Sequence, residues 1–174
     1  GIASNIAFQC ALMQNERFKA GDFNTGLIGE EYPKGFNATE RAHPNPVMLA
    51  AVGAAIQRGV LSCNATITGP MPGHEYRPGD EFVVLMNDTR YPLTAKPVPG
   101  GFDITHEGNI HAVRSDWRFG DPLYQGTFDG QPICMQVERA GLRYRLTHWG
   151  TQADLLVVTA RVAELATALT RSLL

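Results

Sequence analysis

Residues 46–56, PVMLAAVGAAI, carry no charge on any face, and a helix that is hydrophobic all round has to be enclosed all round. Asn45 supplies an N-cap and Pro46 suits the first helical position, while Gly59 offers a stop, so the spacing predicts a helix from Pro46 to about Arg58. Such a helix is roughly 20 Å long, matching a strand of about six residues at ~3.3 Å each. It falls short of the ~20 residues that cross a bilayer. Ala50, Ala51, Gly53, Ala54 and Ala55 let surrounding backbone approach the helix axis closely. The expected fold is therefore α+β: an antiparallel barrel of seven or eight strands wrapped around a central apolar helix. The plainer alternative is a helix buried in a two-layer α+β core.

A chain of 174 residues can build one sizeable core, or one domain with an appendage. Its net charge of −2 and pI near 6.2 leave no basic surplus for a phosphate backbone, which argues against nucleic acid as a partner. The cysteines, Cys10, Cys63 and Cys134, are odd in number and set among apolar residues, so they read as buried free thiols. The chain opens on Gly1 and shows no signal peptide or transmembrane run. It reads as a piece of a longer protein with no membrane role.

In chain order, Ile2–Met13 forms a short helix burying Ile6, Phe8 and Leu12, and the next twenty or so residues hold too many glycines and prolines for regular structure. After the central helix comes Val60–Gly79, with Pro70, Pro72 and Pro78; a loop of that length is usually functional or disordered. From Glu81 onward short β-prone runs alternate with turn signals at Asn87-Asp88, Pro99-Gly100-Gly101, Glu107-Gly108-Asn109 and Asp129-Gly130. Regular antiparallel spacing of this kind points to a barrel or sandwich. Arg143, Arg145 and Thr147 alternate with Leu142, Tyr144, Leu146 and His148, giving one wet and one inward face. Arg161–Leu174 has the apolar spacing of an amphipathic terminal helix.

The search for chemistry returns little. His74-Glu75 lacks the second histidine of a zinc-binding helix, and Pro78 opposes a helix there. His106, Glu107 and His111 surround one turn and form the candidate for a cryptic hydrolase, with solvated polar side chains at a turn as the default reading. There is no G-x-S-x-G elbow, phosphate loop or C-x-x-C. Trp117 and Trp149 read as core or rim aromatics. A free-standing small-molecule-binding barrel remains an alternative, and it requires a hollow interior that the apolar helix would occupy.

Two stretches carry a resemblance. Asn5-Ile6-Ala7-Phe8, Leu12-Met13, Arg17-Phe18, Gly21, Thr25 and Glu30-Glu31 are similar to the closing tail of a biotin carboxylase domain. The run from the capped helix through SDWRFGDPLYQGTFDGQPICMQVERAGLRYRLTHWG to AELATAL resembles the following domain in propionyl-CoA-type carboxylase α subunits. The resemblance implies a division into residues 1–36, a biotin carboxylase tail, and residues 37–174, a helix-in-barrel subunit-contact (BT) domain. It implies a biotin-, ATP- and Mg-dependent parent ligase, in the cytoplasm of a bacterium or the mitochondrial matrix of a eukaryote. The parent's partners would be a carboxyltransferase β subunit and the biotin carboxylase and biotin carrier domains of its own chain. The ATP-grasp core and the Met-Lys-Met biotin acceptor have no counterpart here, since Lys19, Lys34 and Lys96 all lack a neighbouring methionine. No catalytic, cofactor or metal residue is therefore assigned, and this fragment itself is expected to bind no cofactor.

In the family, the connection from the helix to the first strand is a hook that reaches the β subunit. Within Val60–Gly79 the expected partner contacts are Ile67, Met71 and Tyr76 as anchors, with His74, Glu75 and Arg77 as the polar rim.

Overall fold

In the computed structural model, which describes residues 5–66, 71 and 73–165, eight antiparallel strands close into a barrel in sequence order. The strands are β1 (Glu81–Met86), β2 (Thr89–Val98), β3 (Gly101–His106), β4 (Asn109–Arg114), β5 (Leu123–Phe128), β6 (Gln131–Ala140), β7 (Arg143–His148) and β8 (Thr151–Val158). The seam is antiparallel too, with Val83 opposite Val158 and Leu85 opposite Leu156. Every strand thus has a neighbour on both sides, the shortest ladder being β4–β5, where Val113 faces Phe128 and Arg114 faces Thr127.

Among the described residues four helices precede the barrel: α1 (Ile6–Gln14), α2 (Glu16–Ala20), α3 (Leu27–Glu31) and α4 (Pro46–Ala65). α4 runs through the barrel, packing chiefly on β1–β4 and β8. Residues 48–56 are all buried, and their side chains join those pointing inward from alternate strand positions, such as Val84, Ile104, Val113, Met135, Leu146 and Leu155. A Cβ built on Gly53 would lie 2.9 Å from Leu155 Cδ2, so the helix and β8 are as close as a missing side chain allows. The small residues of the apolar run thus set the helix-to-wall distance.

The helix start follows the sequence, with the Asn45 side chain accepting from the Met48 N–H at 3.0 Å and Pro46 at the first turn. Its end does not. Gly59 fails to stop it, and α4 continues to Ala65 before a Thr66 cap whose hydroxyl donates to the Cys63 carbonyl at 2.7 Å. A helical glycine costs only ~1 kcal/mol relative to alanine, and the start of the extension is held by the packing of Leu61 on the core and by bonds between Arg58 and Ser62. At 20 residues with mean hydropathy 1.4, α4 is long and apolar enough by composition to cross a membrane, which corrects the expected length. Its wholly buried run lies inside the barrel.

Local readings also change at the edges. The N-terminal segment is more regular than its glycines suggest, and Phe8, Tyr32 and Phe36 pack edge to face with centroids 5.3 to 5.7 Å apart. On α1 the buried residue is Ala11, while Ile6 is exposed and Phe8 and Leu12 are half-buried. α1 lies against the β7–β8 turn, where a side chain on Gly150 would collide with Ala11 Cα at 2.8 Å. Cys10, Cys63 and Cys134 are free as expected but exposed, not buried. Cys134 occupies an outward position of β6, and Cys63 sits on the part of α4 beyond the enclosed run. Leu142 is in the β6–β7 turn and exposed, so the alternation begins only at Arg143. The terminal helix is seen over 160–165, where Ala163 is buried; its remainder lies outside the described residues.

The barrel ends differ. The β1–β2, β3–β4, β5–β6 and β7–β8 connections are all two-residue hairpins with positive φ at both central residues, and all lie at the end where α4 begins. Such turns match the right-handed twist of the paired strands. Trp149 takes this backbone at φ +50, unusual for a bulky residue, and its ring stacks on His148 at 4.5 Å between centroids. At the end where α4 leaves lie Asp80, which leads into β1, and the eight-residue excursion 115–122 between β4 and β5.

At the α4 entrance, His43 Nε2 and His148 Nδ1 are 2.8 Å apart and both rings are buried. One proton fits between those nitrogens, so one of the two must keep its lone pair, and protonating both breaks the contact. Burial pushes His148 down to about 4, helped by repulsion from His43, and burial also lowers His43. With folded values below the ordinary ~6.5, the unfolded chain binds more protons in acid. The stabilisation is present above pH 6.5 and is lost as pH falls toward 4. From pH 7 to pH 5 the expected loss is on the order of 2 kcal/mol, measured by urea denaturation at each pH. His148→Phe should flatten the profile, and an unchanged slope would contradict the assignment.

Candidate partner interface

The segment expected to dock a partner leaves and rejoins the barrel at one point. Arg58, on the inner stretch of α4, is 8% exposed. Its Nε donates to Asp80 Oδ1 at 2.8 Å and its Nη1 to Ser62 Oγ, while Ser62 Oγ donates back to the Arg58 carbonyl at 3.0 Å. Asp80 in turn accepts from the Ala95 N–H on β2 through its carbonyl, at 2.7 Å. A nearly buried guanidinium without a partner would be strongly destabilising, so Arg58 inside α4 and Asp80, the residue before β1, hold each other.

Past the end of α4, Met71 and residues 73–77 stand out in solvent. Met71 is 72% and Tyr76 52% exposed, and His74, Glu75 and Arg77 are exposed as well. Ile67 lies outside the described residues. A turn closes from the Met71 carbonyl to the His74 N–H at 2.9 Å. The Glu75 carboxylate accepts from the Gly73 N–H at 3.1 Å, and backbone donors, its own N–H first, hold its pKa below the ordinary carboxylate value. The segment thus combines a thioether, a phenol ring and mixed charges on a local turn. Its described residues bring together no nucleophile, base and oxyanion donors.

His106, Glu107 and His111 sit at the opposite end of the barrel and do not converge on one point. His106 Nδ1 donates to the Pro92 carbonyl on β2 at 2.9 Å. His111 Nδ1 donates to Asp129 Oδ2 at 2.8 Å and its ring stacks on Phe128, on the side of β5. Glu107 occupies the turn itself at φ +49. Each imidazole is committed to a different neighbouring strand. Among the described residues no group of three metal-ligating side chains is assembled.

The hollow interior that a small-molecule barrel requires is filled by α4. A cavity of about 390 Å³ opens at the helix entrance, lined among others by Met48, Phe128, Pro132, Ile133 and Trp149. Trp117 packs partly against the core and Trp149 is a rim residue, as the sequence suggests. Sequence reasoning missed the Arg58–Asp80 clasp. Its one local signal is an arginine at the end of an apolar helical run, four residues before Ser62.

The chain is thus a helix-in-barrel domain, a closed eight-stranded antiparallel barrel threaded by an apolar helix. Residues 49–170 match the family described as the propionyl-coenzyme A carboxylase BT domain, and the chain belongs to that family. It is 33% identical over 167 residues to the propionyl-CoA carboxylase alpha chain of Ruegeria pomeroyi, covering 95% of this chain and 24% of the relative. It is also 23% identical over 175 residues to the mitochondrial propionyl-CoA carboxylase alpha chain of Mus musculus, with the same coverage of 95% and 24%. A shorter match, 32% identical over 62 residues, covers 36% of this chain and 8% of the corresponding Caenorhabditis briggsae protein. The chain thus spans about a quarter of the length of the first two relatives.

Proposed function

We propose that this chain is a noncatalytic part of a biotin-dependent acyl-CoA carboxylase α subunit of the propionyl-CoA type, and that it couples the biotin carboxylase half to a carboxyltransferase β subunit. Residues 1–36 are the tail of the biotin carboxylase domain and residues 37–174 the BT domain. The parent works in a bacterial cytoplasm or a mitochondrial matrix. One observation carries the reading: the exposed segment that includes Met71 and Tyr76 is clasped at its base by Arg58 and Asp80. Restricting the ends of a loop lowers the entropy lost when a partner fixes it. By holding its neighbours in place, the domain would set the span over which a tethered biotin carrier reacts, and hence its effective concentration.

The residues present do not fit the parent's cofactors. Lys19 pairs with Glu16 on α2, and Lys96 lies within β2 opposite Asp103 between alanine and proline. We derive no chemical step from this chain. Mixed with a carboxyltransferase β subunit, it should sediment as a complex, and separate boundaries at tens of micromolar of each protein would contradict the proposal. Incubated with ATP, biotin, bicarbonate and a biotin ligase, it should release no phosphate and acquire no biotin. Streptavidin-detectable labelling of Lys19, Lys34 or Lys96 would overturn the second expectation.

A further inference from the structure

The His43–His148 contact forms one wall of the cavity at the α4 entrance, outside the filled interior of the barrel. His148 is only 3% exposed, and its ring is bonded at one nitrogen. Nδ1 meets His43 Nε2, whereas Nε2 makes no bond among the described residues. No side-chain nitrogen or oxygen sealed from solvent is left unpaired among those residues. Nε2 is therefore the His148 atom that reaches open space, and the space its ring lines is this cavity. A buried polar atom facing an otherwise apolar hollow is left for a ligand or a water to satisfy.

The walls suit an uncharged ring. Pro44, Met48, Phe128, Pro132, Ile133 and Trp149 give the apolar lining of a cavity of about 390 Å³, inside the roughly 300–1,000 Å³ of small-molecule sites. Trp149 stacks on His148 at 4.5 Å and on His43 at 6.3 Å, so its ring is held as a shelf although 48% exposed. The polar lining consists of the two imidazoles, Asn45, Asp129 and Gln131. The Asp129 carboxylate is already engaged, accepting from the Ala112 N–H at 2.7 Å and from His111 Nδ1 at 2.8 Å. No lysine or arginine lines the cavity among the described residues, and burial lowers both imidazoles, which are neutral at pH 7. An anion would find no counter-charge here.

The histidine pair selects the polar group that the ring should carry. His43 Nδ1 lies 2.9 Å from the Asn45 carbonyl oxygen and 3.0 Å from the Asn45 nitrogen, so it can donate to the first or accept from the second. Donating leaves His43 Nε2 to accept from the His148 Nδ1–H, and His148 Nε2 then offers a lone pair. Accepting reverses the bond between the rings, and His148 Nε2 then offers a proton. A hydroxyl both donates and accepts, so it matches either state. We propose that the cavity at the α4 entrance is a binding site for a small neutral aromatic molecule carrying a hydroxyl, its ring against Trp149 and Phe128 and its hydroxyl on His148 Nε2. The site is independent of the β-subunit contact proposed above and stands or falls without it.

The test follows the indole N–H signals of Trp117 and Trp149 by proton–nitrogen correlation NMR while the full chain is titrated with 4-methylphenol and, separately, with toluene. Trp117 does not line the cavity and serves as the internal control. With 4-methylphenol the Trp149 signal should shift and saturate with a dissociation constant on the order of 1 mM or tighter, as expected of so small a ring, while Trp117 stays in place. Toluene, which lacks the hydroxyl, should bind about fivefold or more weakly. His148→Phe, with folding checked by circular dichroism, should bind the two compounds alike. The comparison on the parent chain needs no variant, so it decides the matter even where that substitution does not fold. Toluene binding as tightly as 4-methylphenol to the parent, or a folded His148→Phe that keeps the preference, overturns the assignment of the hydroxyl to His148. A Trp149 signal that stays fixed, or that drifts without saturating together with that of Trp117, overturns the site.

Discussion

Gly53→Leu should destabilise the barrel by about 3 kcal/mol, the upper part of the range for forcing extra carbons into a packed interior. The first added carbon already lies 2.9 Å from Leu155 Cδ2 and 3.6 Å from Val157 Cγ2, and Leu155 is fully buried. Three further carbons have no space that does not displace β8 or move the helix away from it. For a domain of this size the change is expected to lower the melting temperature by roughly 6–12 °C. Gly53→Ala separates packing from propensity. Alanine gains ~1 kcal/mol of helix propensity, and its methyl meets only the far end of a flexible leucine, so it should stay within about 1 kcal/mol of the parent. A leucine variant unfolding within a few tenths of a kcal/mol of the parent would mean that this face is not enclosed.

Much of the architecture is legible because its determinants are local. Asn45 and Pro46 announce the helix through capping chemistry that acts within one turn. Asn87-Asp88 and Asp129-Gly130 announce hairpins because their residue types tolerate the left-handed backbone those turns use, and in Glu107-Gly108 the glycine gives the signal. Trp149-Gly150 hides the same turn, since a tryptophan at positive φ is held by stacking on His148 and not by its own preference. The all-apolar run announces enclosure, and the eight strands that follow supply it.

What escapes the sequence is set by contacts between distant positions. The helix end is misread because Gly59 is a weak stop, overridden by Arg58 and Ser62. The His43–His148 contact joins residues 105 positions apart, and nothing near either one announces it. The misleading case runs the other way: His106 and His111 are close in sequence, yet their rings bond to different strands. Cys63 looks core-like only while the helix is taken to end before it; beyond the barrel it is exposed. The interface residues are legible as a loop with anchors. Their exposure, and the clasp beneath them, are properties of the folded barrel.

The central claim is that the clasped segment docks the carboxyltransferase β subunit. Met71 and Tyr76 are its most exposed described anchors, and residues of this kind at the centre of a contact cost about 1.5–3 kcal/mol each when truncated, or roughly ten- to a hundredfold in affinity. The direct measurement is titration calorimetry of the β subunit against the parent chain, Met71→Ala and Tyr76→Ala, with folding checked by circular dichroism. The account predicts parent-like spectra and at least a tenfold weaker complex for Tyr76→Ala, with Met71→Ala also weakened. Folded variants that bind as tightly as the parent would contradict it and move the interface elsewhere on the barrel.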